Sequence, residues 1–346
     1  MILLVENPTH PGIALISAAY KRAFEHLGID FHFLSFRKEP QASIDEINLI
    51  VQNKINSCSY NPVIIIQPTF LTGQTYVQAV VTQKKKGIRF YCINTEDPYS
   101  VSGILQINNL FDIKFTNEKL VADKYSNLGF QYLPVAFDSL MPYKHSEKKD
   151  FDLCAILTYY QDRYEYLKQI PEGLKTFVTG SISPLIRDAV SPVLDLKLFS
   201  TAPSMIHRHK EYEYYSRSKF VLNPHRRPEI VGRQYLNIIE GQPCVPMFKD
   251  AISPNPRFFD AIGCGAIPLC DESRTECFEI LFKNALSLEE SNSFKLSFLN
   301  KLNNPSNINN PVIMSLFESF RINETYINRA QQVLNAIELS KSAETI

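Results

Sequence analysis

Positions 2–5 form an unbroken apolar run, and Ile13, Ile16, Tyr20, Phe24 and Leu27 then recur every three or four residues until Gly28. The run predicts a buried strand. The spacing predicts a helix with one apolar face, ended by a glycine able to take a left-handed backbone. The pattern continues with strands at 31–36, at 63–67 after Asn61-Pro62, and at 88–93 behind a helix over 74–86. A strand at 111–115, a helix over 118–127 and a short strand at 130–133 follow. Strands that alternate with helices imply a parallel sheet, with helices covering its faces.

A polar, charged stretch at 141–149 interrupts this series, and the same alternation restarts after it. Strands are expected at 152–157, 176–180 and 219–223, with a helix over 162–169. A helix over 257–264 runs into the Gly263-Cys264-Gly265 turn and a strand at 266–270, and residues 294–339 read as helices. The expectation is an α/β chain of two doubly wound Rossmann-like domains facing a cleft, at 1–140 and 150–310, with a helical tail at 311–346. Ligands of such sheets bind beyond the carboxyl ends of the strands.

A length of 346 residues suits two domains, each able to bury a core, and 45% hydrophobic with 21% charged residues is ordinary globular composition. Lysine plus arginine equals aspartate plus glutamate at 36 each, so no overall field draws the protein to nucleic acid or to an anionic membrane. An anion site must therefore be local. One local surplus lies between 201 and 233, where Arg208, Lys210, Arg217, Lys219, Arg226, Arg227 and Arg233 face only Glu211, Glu213 and Glu229. No basic flank or small-residue cleavage site frames the first apolar run, and no stretch is long enough to span a bilayer. The seven cysteines include no CxxC pair, which argues against a zinc site and a disulfide framework. A cytoplasmic protein is expected.

The stretch Asn255-Pro256-Arg257-Phe258-Phe259-Asp260-Ala261-Ile262-Gly263-Cys264-Gly265-Ala266-Ile267-Pro268-Leu269 resembles the R-x-F-E-A-x-x-C-G-A segment of the spore-maturation CgeB-like glycosyltransferases. Further matches follow the family order: Asn94-Thr95-Glu96-Asp97-Pro98-Tyr99, Phe115-Thr116-Asn117, Leu133-Pro134-Val135-Ala136-Phe137-Asp138, Arg163 behind a strand, and Val221-Leu222-Asn223-Pro224-His225-Arg226. The resemblance covers about 90 to 270. It implies a GT-B fold whose C-terminal domain holds a nucleotide-diphosphate sugar and whose N-terminal domain presents the acceptor. It implies neither a metal nor a cofactor beyond that co-substrate.

The resemblance gives the residues their expected roles. Asp260 stands where the relatives carry glutamate, and a carboxylate there can accept hydrogen bonds from ribose hydroxyls. Gly263 and Gly265 let backbone amides approach a diphosphate, or simply stop a helix before a strand. Arg226, Arg163 and Arg257, in that order, are the candidates to stabilise charge growing on the leaving diphosphate. His225 is a candidate phosphate or sugar contact, and Asn223 belongs to the same donor segment. Glu96 or Asp97, at the end of a strand, could take the proton of an acceptor hydroxyl in an inverting transfer, and His10 is a further base candidate. The Tyr212, Tyr214 and Tyr215 cluster reads as core.

Two departures stand out. Many retaining enzymes of this fold carry a second glutamate eight positions before the first, and here that position is Ile252. The glycine- and proline-broken stretch at 228–254 reads as an insertion beside the donor site. Alternative readings are a sugar- or nucleotide-binding protein without catalysis, and a transferase acting on a modified nucleic-acid base, which the neutral charge disfavours. A dinucleotide-dependent dehydrogenase is strongly disfavoured because Asn7-Pro8-Thr9-His10-Pro11-Gly12, not a G-x-G-x-x-G turn, follows the first strand.

Overall fold

The computed structural model of the chain describes residues 1–6, 11–35, 44–56, 60–68, 74–159, 161–182, 199–200, 208–225, 236–237, 242–243, 248, 250–283, 287–302 and 310–342. They fall into two compact units. The first holds Met1–Val135, Arg226–Ser253 and Tyr326–Ile346, and the second holds Ala136–His225 and Pro254–Thr325.

The first unit is built on six parallel strands, β1 (Ile2–Val5), β2 (Phe31–Leu34), β3 (Val63–Ile66), β4 (Phe90–Asn94), β5 (Ile113–Thr116) and β6 (Phe130–Tyr132), ordered β2-β1-β3-β4-β5-β6. Helices α1 (Pro11–His26), α2 (Ile44–Asn56), α3 (Gln74–Lys84), α4 (Val101–Gln106) and α5 (Lys119–Lys124) lie between them in the chain. Strand residues of alternating parity serve opposite faces, which is why β3 is apolar throughout: Val63 and Ile65 join Val51 and Ile55 of α2 and Val80 of α3 in one cluster. The pattern did not announce α2, because its described buried positions are only Val51 and Ile55 while Leu49 is exposed. Order reverses between β1 and β3, so the ligand edge of this sheet lies beyond the ends of β1, β3, β4 and β5.

The second unit holds five parallel strands, β7 (Phe151–Tyr159), β8 (Thr176–Ile182), β9 (Phe199–Ser200), β10 (Ser218–Asn223) and, after the short pair β11 (Leu236–Asn237) and β12 (Gln242–Pro243), β13 (Ile267–Cys270). Their order is β13-β10-β7-β8-β9, whereas β11 and β12 form a separate two-stranded sheet within the segment that belongs to the first unit. Here the switch falls between β7 and β10. The helices are α6 (Gln161–Leu167), α7 (Arg208–Ser216), α8 (Pro256–Gly263), α9 (Thr275–Lys283), α10 (Leu288–Asn292) and α11 (Pro311–Asn323).

The expected helical tail is shared between the units. Phe320 of α11 lies against Phe258 and Phe259 of α8, with ring centroids 5.9 and 6.1 Å apart. The last helix, α12 (Tyr326–Ser342), belongs to the first unit. Its Tyr326 ring meets Tyr20 of α1 edge-on at 5.1 Å, its Arg329 donates to the Pro134 carbonyl at 3.0 Å, and its Ser340 hydroxyl meets Tyr91 at 2.9 Å. Among the described residues, no helix is long and apolar enough to cross a membrane.

Candidate functional site

The second sheet ends at its switch point on Asn223, the last residue of β10 and fully buried. Its amide nitrogen donates to the Cys270 sulfur at 3.4 Å, and its carbonyl oxygen accepts from Arg257 at 3.2 Å. Arg257 sits in the first turn of α8, a helix that starts here for local reasons. Asn255 caps it by accepting from the Phe258 amide at 3.2 Å, and Pro256 supplies a pre-set φ where no amide is needed. The first amides of a helix have no partner within it and carry positive potential, so this end of α8 favours an anion. Arg257 adds a charged fork, and its Nε is buried with no hydrogen-bond partner among the described residues. Folded proteins rarely leave such a donor unpaired.

His225, two residues beyond β10, holds the start of α8 in place. Its Nε2 accepts from the Asn255 amide at 3.3 Å, and its Nδ1 lies 3.2 Å from an Asp271 oxygen that also accepts from the His225 backbone amide. A nitrogen that accepts an N–H carries no proton, so the network assigns the proton to Nδ1. Burial pushes the imidazole pKa down to about 4, with Arg274 and Arg163 adding to the shift and Asp271 opposing it. The ring is therefore neutral at physiological pH, and both nitrogens are engaged with protein. The sequence assigned His225 to phosphate or sugar; the structure gives it to Asn255 and Asp271.

Asp271 follows β13 and gathers three elements. Besides His225 it accepts from Tyr166 of α6 at 3.3 Å, and Arg274 lies near in the turn before α9. Burial alone would raise its carboxyl; the His225 donors and the Arg274 charge outweigh that and hold it below the usual range. Arg163 is buried on α6, three residues before Tyr166 and on the same helix face. The charges of Arg163 and Arg274 both act on His225, whose Nε2 holds the start of α8 where Arg257 stands.

Asp260 lies one turn beyond Arg257, is buried, and accepts from the Tyr212 hydroxyl at 2.7 Å. Tyr212 in turn accepts from the Asp138 amide at 3.1 Å. Gly263 and Gly265 lie at the far end of α8, where the chain enters β13, the edge opposite the strand ends. Gly265 takes φ +80°, and the turn closes with Gly265 N–H to the Ile262 carbonyl at 2.9 Å and Ala266 N–H to the Ala261 carbonyl at 2.9 Å. The amides required for a diphosphate contact are used by this helix stop. The surrounding charge suits a helix end as well: Lys149 donates to the Gly265 carbonyl at 2.6 Å and Arg321 to that of Gly263 at 2.7 Å.

In the first unit, the loop after β4 is a connected polar network. The Gln67 carbonyl oxygen accepts from the Thr95 and Glu96 amides at 2.8 and 3.2 Å, and its amide donates to Ser100 at 2.9 Å. Ser100 and Thr116 donate to the two Asp97 oxygens at 2.9 and 2.6 Å, and Asn117 accepts from the Asp97 amide at 3.0 Å. Asp97 is buried and both oxygens are occupied, while Glu96 keeps part of its surface. His10 and Arg226 lie outside the described residues, as does most of 228–254.

Burial raises Asp97 to about 6, even though Thr116 and Ser100 stabilise the ionised form. Because the folded pKa exceeds the unfolded one, the contribution of the protonated Asp97 to stability is complete below about pH 4 and is lost as pH rises through about 6. Chemical denaturation of wild type and Asp97→Asn across pH 4–7 is expected to show the wild-type advantage shrinking by up to ~3 kcal/mol as pH rises. A difference that stays constant over that range would refute the assignment.

Sequence reading missed Asp271, Arg274 and Tyr166. The signal was present: Asp271 is the first polar residue after the 266–270 run, where a strand predicted to end at the ligand edge hands over to a loop. It also missed Glu118, a buried carboxylate that accepts from the Leu120, Ile252 and Ser253 amides at 3.3, 3.2 and 3.2 Å.

No protein-family model and no curated protein matches the chain. Among solved structures, a DNA-modifying β-glucosyltransferase, determined with and without uridine diphosphoglucose, matches with a TM-score of 0.53 at 12% identity, covering 98% of this chain and 100% of that one. A Listeria monocytogenes protein assigned as a UDP-N-acetylglucosamine 2-epimerase matches with a TM-score of 0.50 at 13% identity, covering 97% of this chain and 95% of that one. At these identities the likeness shows the fold: two Rossmann-like α/β domains of the GT-B type, with helices at the C-terminal end.

Proposed function

We propose that the chain is a glycosyltransferase of the GT-B class, related to the CgeB-like enzymes, that takes its sugar from a nucleoside-diphosphate donor held by the second unit. The observation that carries this reading is the buried Nε of Arg257 at the start of α8, without a partner among the described residues, with the charges of Arg163 and Arg274 acting on the adjoining His225. A diphosphate is the ligand class whose charge and multiple acceptor oxygens suit a helix N-terminus ringed by guanidinium forks.

In the transfer, the bond from the sugar's anomeric carbon to the diphosphate breaks and a bond to an acceptor hydroxyl forms. Negative charge grows on the diphosphate as it departs, so fixed cations at that point stabilise the transition state more than the bound donor. Arg257, Arg163 and Arg274 take this role without a metal, and Arg226 remains a proposal of the sequence. Asp260, one helical turn from Arg257, is assigned to a ribose hydroxyl, with Tyr212 orienting its carboxylate. Glu96 receives the proton of the acceptor, which belongs to an inverting displacement. Gln67 holds the Glu96 amide, and Asp97, with Ser100 and Thr116 on its two oxygens, does not react.

The test is thermal stabilisation across UDP, GDP, ADP and dTDP and their common sugar conjugates, followed by nucleotide release from each hit. One base class is expected to raise the melting temperature, since ligand bound only to the folded state adds stability. Stabilisation without release, under any acceptor, would favour a binding protein. No shift at millimolar ligand would remove the reading.

A further inference from the structure

The carboxylate of Asp271 sits among the arginines proposed to hold the diphosphate, where a negative charge by itself weakens anion binding. Its bonds explain its presence. One oxygen accepts from Tyr166 at 3.3 Å, and the other faces both the backbone amide and Nδ1 of His225. The opposite ring nitrogen of His225 then accepts from the Asn255 amide at 3.3 Å, and Asn255 is the residue that caps α8. A single chain of bonds therefore runs from α6 through the β13–α9 turn and the end of β10 to the cap of α8.

Resting on the donor reading above, we propose that Asp271 and His225 form a positioning pair: Asp271 fixes the Nδ1–H tautomer of His225, whose Nε2 aims the start of α8 and Arg257 at the departing diphosphate. Neither residue touches the donor. The pair works because an imidazole with its proton on Nδ1 has an acceptor at Nε2, and the reversed tautomer would present two N–H donors to each other at Asn255. Imidazoles bound to a carboxylate in this manner depend on it for ring orientation, and the loss of such a partner typically costs 10–100-fold at metal sites. Because the charge on the diphosphate increases during transfer, misaimed donors penalise turnover more than binding. Removing the Asp271 charge also relieves repulsion of the bound anion.

Four proteins test the pair: wild type, Asp271→Asn, His225→Gln, which keeps one acceptor and one donor, and Arg257→Ala as the reference for a lost ligand. Calorimetry with the tightest of UDP, GDP, ADP and dTDP, turnover by nucleotide release, and nitrogen-15 NMR of labelled histidine are measured on each. For Asp271→Asn the expected result is a kcat about 10-fold or more lower, with nucleoside-diphosphate affinity kept or tightened. The His225 ring signal, identified by its loss in His225→Gln, is expected as the Nδ1–H tautomer in wild type and as a mixture in Asp271→Asn. His225→Gln is expected to retain part of the turnover. If wild type binds and turns over while both variants equal it, the inference falls and the donor reading stands. If Asp271→Asn loses nucleotide affinity as fully as Arg257→Ala, Asp271 is a direct ligand and the inference also falls. Wild type that binds none of the four removes the donor reading, and the pair's role with it.

Discussion

Arg257→Ala is expected to fold normally and to lose sugar transfer by roughly 10²–10³-fold in kcat, the range seen when one fixed donor to a growing negative charge is removed. Arg257 stands in the first turn of α8, its terminal nitrogen is held by Asn223 at 3.2 Å, and Asn223 is itself held by the Cys270 sulfur. The guanidinium is therefore oriented before any ligand arrives, so little reorganisation is needed as charge develops. Arg257→Lys keeps the charge without the planar fork and is expected to recover only part of the rate. Release of nucleotide from the donor found by thermal stabilisation measures the loss, with circular dichroism as the check on folding. An Arg257→Ala protein with wild-type kcat would leave the proposed site without its central residue.

The reach of the sequence followed the length of each physical signal. Strands covered on both faces write themselves as apolar runs, and β1, β3, β4, β10 and β13 are legible for that reason. The N-cap and proline of α8 are equally local, so its start could be read from Asn255-Pro256 alone. Roles that depend on who faces whom were not legible. His225 looked like a ligand because a histidine beside an arginine suits phosphate; only the structure shows Asn255 and Asp271 at its two nitrogens. Glu96 and Asp97 are neighbours in sequence, yet Thr116 from the next strand, together with the nearby Ser100, closes over Asp97 and not over Glu96. The carboxylate sought eight positions before Asp260 is Ile252, and the amides of Ile252 and Ser253 are instead held by Glu118, more than a hundred residues earlier. Long-range pairings of this kind leave no periodicity behind them.

Gly263→Ala is expected to destabilise the second unit by about 1–3 kcal/mol, the usual cost of overpacking a filled interior. A Cβ at this position would lie 2.4, 2.5 and 2.7 Å from three atoms of the Phe137 ring. The ring has little room to retreat. Its face stacks on Tyr212 at a centroid distance of 5.2 Å, and the Phe137 amide is tied to the Glu324 carbonyl at 2.9 Å. A cost of this size corresponds to a melting temperature lower by roughly 2–12 °C for a domain of this class. The same substitution decides what the glycine is for. If Gly263 serves Phe137, the folded Gly263→Ala protein keeps its nucleotide affinity, and Phe137→Leu in that background recovers part of the stability, a coupling that a double-mutant cycle isolates. If instead the glycine lets the backbone approach a diphosphate, affinity falls, the melting temperature barely moves, and Phe137→Leu rescues nothing. The first outcome is expected, because Phe137 fills the space that a Cβ at Gly263 would take and the nearby amides of Gly265 and Ala266 already close the end of α8.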